Sequence, residues 1–424
     1  MQGLSTQRAP SATVVLPHFI FGAISFLIVA VLILFSAEAF TGHYFHPKLL
    51  AITHIAALGW GSMIIFGALY QLLPVILETP LYSELIAKIT FVVFASGIIL
   101  LAFSFWNFYV SIHIQIASCL LLLALTLFST NILLTCRSAC NSSVEAEFIS
   151  TSVIWLLATG IIGTLMALNF QYAFLPKTHL IFLKIHAHLG IAGWFTLLIM
   201  GVAAKLIPMF LLSQNLNRKK LSYAYYLVNA GLIAFGADMF FLEGSLLLPL
   251  FSLIVITGIL FFISFIFEAF RKRLRKELDI GLKHSFAAFV LLLLALFLTI
   301  VISVVSKVDD KIYLVYGSSI FLGFISALIL GQTFKTLPFI VWLHKYKSLI
   351  GKEKTPLPKN LFSEKIARWQ FITYLISITT LISGMLAGYN ILIRFGAFML
   401  LVTALLYNFN VFKIITTKAK LKKN

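Results

Sequence analysis

Residues 54–74 read HIAALGWGSMIIFGALYQLLP, and residues 188–208 read HLGIAGWFTLLIMGVAAKLIP. The two stretches lie 134 residues apart and agree at seven of 21 positions, including His54/His188, Gly59/Gly193, Trp60/Trp194, Gly67/Gly201 and Pro74/Pro208. A weaker third copy at 318–338, SSIFLGFISALILGQTFKTLP, keeps Gly323, Gly331, Lys335 and Pro338 but carries Ser318 where the histidine stood. Each copy is long and apolar enough to be a helix crossing a bilayer, which takes roughly 20 residues. Unrelated apolar helices resemble one another by composition, but glycine, tryptophan and proline at fixed spacing go beyond composition. The glycines suit close approach of neighbouring helices.

The whole chain shares this character. Of its 424 residues 61% are hydrophobic and 11% charged, with mean hydropathy +1.02, whereas a soluble domain carries about 25% charged residues. A soluble fold could not hide that much apolar surface, so the bilayer must be the solvent. Hydropathy places helices at 13–38, 47–77, 85–106, 110–135, 148–172, 179–212, 222–242, 245–270, 282–305, 312–343, 366–389 and 391–414. Each repeat copy then opens the second helix of a four-helix unit. The expectation is an all-α membrane protein of about twelve transmembrane helices. It forms a single polytopic domain over 1–424, built of units at about 13–135, 148–270 and 282–414. All copies run in the same direction, which implies a pseudo-threefold axis along the membrane normal.

Charge gives the orientation. The net charge is +18, and its basic residues sit in short loops between apolar runs, which points to topology and anionic lipid rather than nucleic acid. Loops after even-numbered helices carry Arg137; Arg218, Lys219 and Lys220; Arg271, Lys272, Arg273, Arg275 and Lys276; and Lys345, Lys347, Lys352 and Lys354. The tail adds Lys418, Lys420, Lys422 and Lys423. Loops after odd-numbered helices are nearly neutral. The positive-inside rule puts both termini in the cytoplasm, and the expected location is a bacterial inner membrane. The run Val14–Phe35 is too long for a signal-peptide core and only Arg8 precedes it, so it is read as a retained first helix despite Ala37-Glu38-Ala39. The cysteines, Cys119, Cys136 and Cys140, form no CxxC and no CxxCH, so covalent c-type haem attachment is absent.

Seven of the ten histidines, His43, His46, His54, His113, His179, His186 and His188, fall in the outer part of this topology, and His18, His284 and His344 toward the cytoplasm. His54 sits about 10 Å along its helix from Pro47, inside the hydrocarbon, where an ionisable residue marks function. By the repeat, His54 and His188 share one height on related helices, and two imidazoles across a gap can hold a haem iron from both sides. His186 and His188 are two residues apart, about 200° around a helix, so they point into opposite pockets. Structural alternatives stand beside this: a histidine hydrogen-bonded in a polar pocket, snorkelling for Lys205, Lys335 and the aligned Gln71, and helix-end charges for Glu38 and Asp238.

The stretch HAHLGIAGWFTLLIMGVAAKLIP from His186 resembles the tenth helix of haem–copper oxidase subunit I, most closely the C-type oxidases and nitric oxide reductase large subunits; His54–Pro74 resembles the same element. The resemblance implies twelve helices in three units of four, outer-half haems and cytoplasmic termini. Carried over, His188 and His54 would be the low-spin haem pair and His186 the proximal ligand of a second haem. The chain departs from the family in three ways. Its HxH lies in the sixth helix, Ser318 replaces the third histidine, and there is neither an HH pair for copper nor a His–Tyr cross-link motif. A looser resemblance is to nitric-oxide-response membrane proteins with HxH motifs.

The first expectation is therefore a divergent member without the full copper site, binding one or two haem b groups and no copper. It would transfer electrons, or bind or respond to O2 or NO, in the respiratory membrane. Its partners would be the lipid bilayer, other respiratory subunits, or a cytochrome c or quinol donor. A second is an active terminal oxidase or nitric oxide reductase-like enzyme with a non-standard metal site at His43, His46, His113 and His179. A third is a secondary transporter of a small solute, against which a parallel threefold repeat argues, since transporter repeats are usually two and often inverted.

Overall fold

The structure, a computed structural model, describes residues 9–139, 143–305, 307–350, 352–353 and 355–417. Arg8, Cys140, Lys354, Lys418, Lys420, Lys422 and Lys423 lie outside the described residues. Among those described there is no β-strand, and twelve helices are long and apolar enough to cross a membrane. They are α1 (Ala12–Phe35), α2 (Pro47–Ile76), α3 (Glu84–Trp106), α4 (Ile112–Arg137), α5 (Val144–Tyr172), α6 (His179–Leu211), α7 (Lys219–Leu242), α8 (Leu248–Arg271), α9 (Ile280–Val304), α10 (Asp310–Leu349), α11 (Glu364–Ala387) and α12 (Asn390–Thr416). Each falls within a few residues of its expected span. The chain is a multi-pass membrane protein, and large apolar side chains such as Val92, Ile99, Phe297 and Ile391 lie exposed on its helices as lipid-facing groups do.

The chain divides into two compact units. One comprises Met1–Val75, Leu278–Leu294 and Asp309–Asn424; the other comprises Ile76–Glu277 and Ala295–Val308. This division crosses the expected repeat boundaries, since α1 and α2 belong to the first and α3 and α4 to the second.

The helices that carry the repeat differ from the rest. In the apolar windows of α2, α6 and α10, 72, 61 and 83% of residues are buried, against 28–50% in the others. Each of the three opens into a π-helical stretch in mid-course: Ile55–Ser62 in α2, Leu189–Thr196 in α6 and Ser319–Ile325 in α10. Each stretch begins one residue after His54, His188 or Ser318. Most π-helix occurs as single-turn bulges, often at functional sites, so two turns at one repeat position in three helices is a built feature. Side-chain hydroxyls help to hold it. Thr196 Oγ1 donates to Ile191 O at 2.8 Å and Ser326 Oγ to Phe321 O at 2.7 Å, each reaching the carbonyl five residues back that a π-helical N–H would address.

The repeat glycines set the crossing of the second helix on the first. A methyl group on Gly67 would lie 2.7 Å from His18 Cβ, one on Gly201 2.6 Å from Phe148 Cβ, and one on Gly331 2.5 Å from His284 Cβ. Two turns earlier, Gly59, Gly193 and Gly323 meet Ser25, Trp155 and Leu291, each seven residues beyond the first contact. One packing solution is thus used three times.

A second contact recurs at the start of each third helix. Asn131 of α4 accepts from Ser83 N and donates to Ser83 O, at 3.0 and 2.8 Å. Asn410 of α12 does the same to Ser363, at 2.9 and 3.1 Å. In α8 the role falls to Glu268, which accepts from Asn217 N at 3.2 Å and pairs with Lys220 and Lys272. Ser83 and Ser363 also cap their helices, accepting from Ile86 N and Ile366 N.

In the first unit, Trp60 stacks on Phe26, meets Tyr407 edge-on and donates to Ser326 Oγ at 2.9 Å. This ties the π stretch of α2 to the end of that of α10. In the second unit, Trp194 meets Phe128 of α4 edge-on, and a core of Ile181, Ile185, Leu189, Leu232, Phe235 and Met239 joins α6 to α7.

Gly201→Leu is expected to lower stability in detergent by about 1–3 kcal/mol or more through overpacking against Phe148. Gly236→Ala, where an added methyl meets nothing within 4 Å, should cost nothing. Thermal unfolding that gives the two variants equal stability would refute the crossing.

Candidate functional site

His54 and His188 end the α-helical part of their helices and face the same backbone geometry. His54 Nδ1 lies 2.7 Å from Leu50 O, and His188 Nδ1 lies 2.8 Å from Lys184 O. A carbonyl only accepts, so each Nδ1 carries the proton and donates. That bond fixes the tautomer, with the proton on Nδ1 and not on Nε2, the tautomer that metal-bound histidines use. Both side chains are half-buried. In the second unit the His188 ring rests against Phe235 of α7, 4.6 Å between centroids. The two histidines belong to different compact units.

His186 turns the other way. Its Nδ1 donates to Thr159 O of α5 at 3.0 Å, and its ring fills a notch at Gly163, where an added methyl would lie 2.9 Å from Cε1. His186 and His188 therefore diverge, one toward α5 and one toward α7, and share no ligand.

The other histidines that the charge pattern assigns to the outer side make structural contacts. His179 spends both ring nitrogens. Asn169 Nδ2 donates to Nδ1 at 3.2 Å, Nε2 donates to Met166 O at 3.0 Å, and the ring stacks on Phe170. It pins the start of α6 to the end of α5. His46 caps α2, accepting from Lys48 N, and His43 accepts from Phe45 N and stacks on Tyr44. His113 lies beside Tyr109, with ring centroids 5.9 Å apart. Among the described residues no three His, Cys, Asp or Glu side chains converge as metal ligands do. His43 and His46 belong to the first unit, His113 and His179 to the second.

The charged positions resolve individually. Glu38 pairs with Arg394 at 2.7 Å on the surface. Asp238 is buried and holds the turn after α7 by accepting from Ser245 N at 2.9 Å and from its hydroxyl. The aligned Gln71, Lys205 and Lys335 meet three fates: Gln71 is buried, Lys205 exposed, and Lys335 pairs with Asp279 at 2.8 Å. The three residues at that repeat position thus share no side-chain chemistry.

The first unit holds a cavity of about 140 Å³. Ile52, Thr53 and Ala56 of α2 line it, with Tyr313, Gly317 and Ser318 of α10. It thus lies where the third repeat carries serine in place of histidine. Tyr44 also lines it, and burial, together with the neighbouring Tyr313 and Asp310, holds its phenol above the ordinary tyrosine range.

Sequence reasoning missed three features: the π stretches, the Gly163 notch and the His179 clasp. The first had a signal, because a hydroxyl stands at the same repeat position in all copies, Ser62, Thr196 and Ser326. The notch and the clasp had none, since both depend on how α5 meets α6. Compared with known proteins, the chain matches no family model and no curated sequence.

His179→Phe keeps the stack on Phe170 and deletes both hydrogen bonds. It is expected to cost about 1–3 kcal/mol in thermal unfolding while leaving any bound chromophore at full stoichiometry. Loss of a chromophore without loss of stability would reassign His179 to the site.

Proposed function

We propose that this chain is a haem-binding protein of a bacterial cytoplasmic membrane, in which His54 and His188 each serve as an axial ligand of b-type haem and whose task is electron transfer. The observation that carries the reading is the matched pair of Nδ1–H to carbonyl bonds at Leu50 and Lys184. Two half-buried imidazoles at one repeat position, each set as a neutral Nε2 donor, have the chemistry of axial haem ligands. Two-thirds of the repeat histidine positions keep the ligand, and Ser318 at the third cannot supply one. When bound, the haem supplies a one-electron carrier; the protein supplies the axial nitrogens, fixes their tautomers and excludes water.

The proposal extends to topology. Both termini face the cytoplasm, and three four-helix units stand about a pseudo-threefold axis. The recurrence of the glycine crossing and of the Asn131, Glu268 and Asn410 clamps supports this arrangement. Partners are the bilayer, respiratory subunits, and a cytochrome c or quinol donor. The similarity of the His186 stretch to haem–copper oxidase subunit I is in keeping with this reading, without that family's copper ligands. A second reading is binding of or response to a diatomic gas. The small cavity beside Thr53 favours it: at about 140 Å³ it falls below the ~300–1,000 Å³ of cofactor pockets and near the ~150 Å³ cavity known to take xenon or benzene in another protein. His186, on the other side of α6, is the candidate ligand of a second haem.

Optical spectra of the detergent-purified protein, oxidised and dithionite-reduced, test the proposal. The wild type is expected to show a low-spin b-type spectrum. His54→Ala and His188→Ala should each lose it or turn high-spin, and His186→Ala should keep it. A colourless wild type after growth with added haem precursor would refute the proposal and leave a transporter as the leading account.

A further inference from the structure

The glycine crossing singles out one side chain for which neither the fold nor the haem proposal has a use. His18, Phe148 and His284 are counterparts, each laid on its repeat glycine. Phe148 shows that an apolar ring meets the packing demand at this position. A histidine there adds nothing to packing and must be desolvated, which is unfavourable unless its nitrogens find partners. His18 has one: its Nδ1 donates to Val14 O at 2.8 Å.

His284 is fully buried, and neither Nδ1 nor Nε2 meets a hydrogen-bonding group of the protein. Its ring packs on Phe371 and Tyr374 of α11, 4.7 and 5.8 Å between centroids. The Tyr374 hydroxyl is already committed to Leu322 O and Gly323 O, at 2.9 and 2.8 Å. Ser285, the next residue, is engaged by Gln332 at 2.7 Å. Gln370, immediately before Phe371, is also fully buried, and both atoms of its amide lack a protein partner. Two neighbouring helices of the first unit thus present buried polar side chains with four unmet atoms among apolar rings.

We infer that His284 and Gln370 hold internal water. The four atoms comprise two donors and two acceptors: a neutral imidazole offers one of each, and so does a primary amide through its nitrogen and oxygen. A cation would leave both donors unmet and an anion both acceptors, whereas water donates and accepts. Buried waters typically make about three such bonds to groups that would otherwise go unsatisfied. The site lies on the α9–α11 side of Gly331, 13 residues or about 20 Å along α10 from Ser318, so it is a second polar site, separate from the cavity that Thr53 and Ser318 line. It places an exchangeable proton and a titratable ring deep among the helices, and it does not require haem to be bound.

X-ray hydroxyl-radical footprinting of the full-length purified protein tests the inference, because bound water is converted to radicals in place and labels the side chains it touches. Tyr374 is the reporter. Tyr407 is the control, equally buried, with its hydroxyl within 3.1 Å of Thr333 Oγ1. In the wild type Tyr374 should be modified several times faster than Tyr407. His284→Phe, the residue its counterpart carries, should bring Tyr374 down to the Tyr407 rate. Equal rates in the wild type would overturn the inference whatever the variant does, so a variant that fails to fold cannot protect it. A fast Tyr374 rate that survives unchanged in a folded His284→Phe protein would overturn it too. The optical spectra of the same samples report separately on the haem proposal.

Discussion

A backbone in hydrocarbon has no water to fall back on, so every N–H and C=O must be met from within the protein. A regular α-helix does this by itself. The inner helices α2, α6 and α10 give up that regularity for two turns and meet the requirement by other means. The widened π-helical turns keep their own longer-range bonds, Thr196 and Ser326 reinforce them from the side, and Tyr374 caps two carbonyls of the α10 stretch from α11. The widening has a geometric consequence. It shifts the register of everything after His54 and His188 relative to what precedes them. The turn that bears the histidine and the turns that bear the glycines are thereby aimed separately, the glycines toward the preceding helix.

Much of the fold was legible because hydropathy reports the solvent of each segment. The twelve apolar runs became the twelve membrane-length helices among the described residues, and local chemistry accounts for shifts at their ends. Helix α5 starts at Val144 rather than 148 because Ser143 caps it, accepting from Ala146 N. Helix α11 stops at Ala387 because Gly388 takes a left-handed conformation, φ 71°. The glycine crossings were legible as a motif, though not their partners, since a repeat shows which residue is small and not what it touches. The π stretches were hidden for a physical reason. In a continuously apolar segment, an i+4 and an i+5 backbone register produce the same hydropathy trace.

The site divides along the same line. The Nδ1 bonds of His54 and His188 reach four residues back along their own helix, so sequence spacing contains them. The bonds of His186 and His179 reach to α5, and spacing does not contain them. His284 is the reverse case. Its sequence neighbours do not show that the crossing at Gly331 lays it inside, where one counterpart, Phe148, is phenylalanine. The position, more than the residue type, decides what each of these histidines does.

The central claim is that the two repeat-related imidazoles are axial ligands of haem iron. Electron paramagnetic resonance of the oxidised, haem-replete protein addresses it most directly, because the spin state and rhombicity of ferric haem report its axial ligands. The account predicts a low-spin signal of the bis-imidazole type. A purely high-spin ferric signal, or a low-spin signal that persists when His54 and His188 are both replaced by alanine, would contradict it.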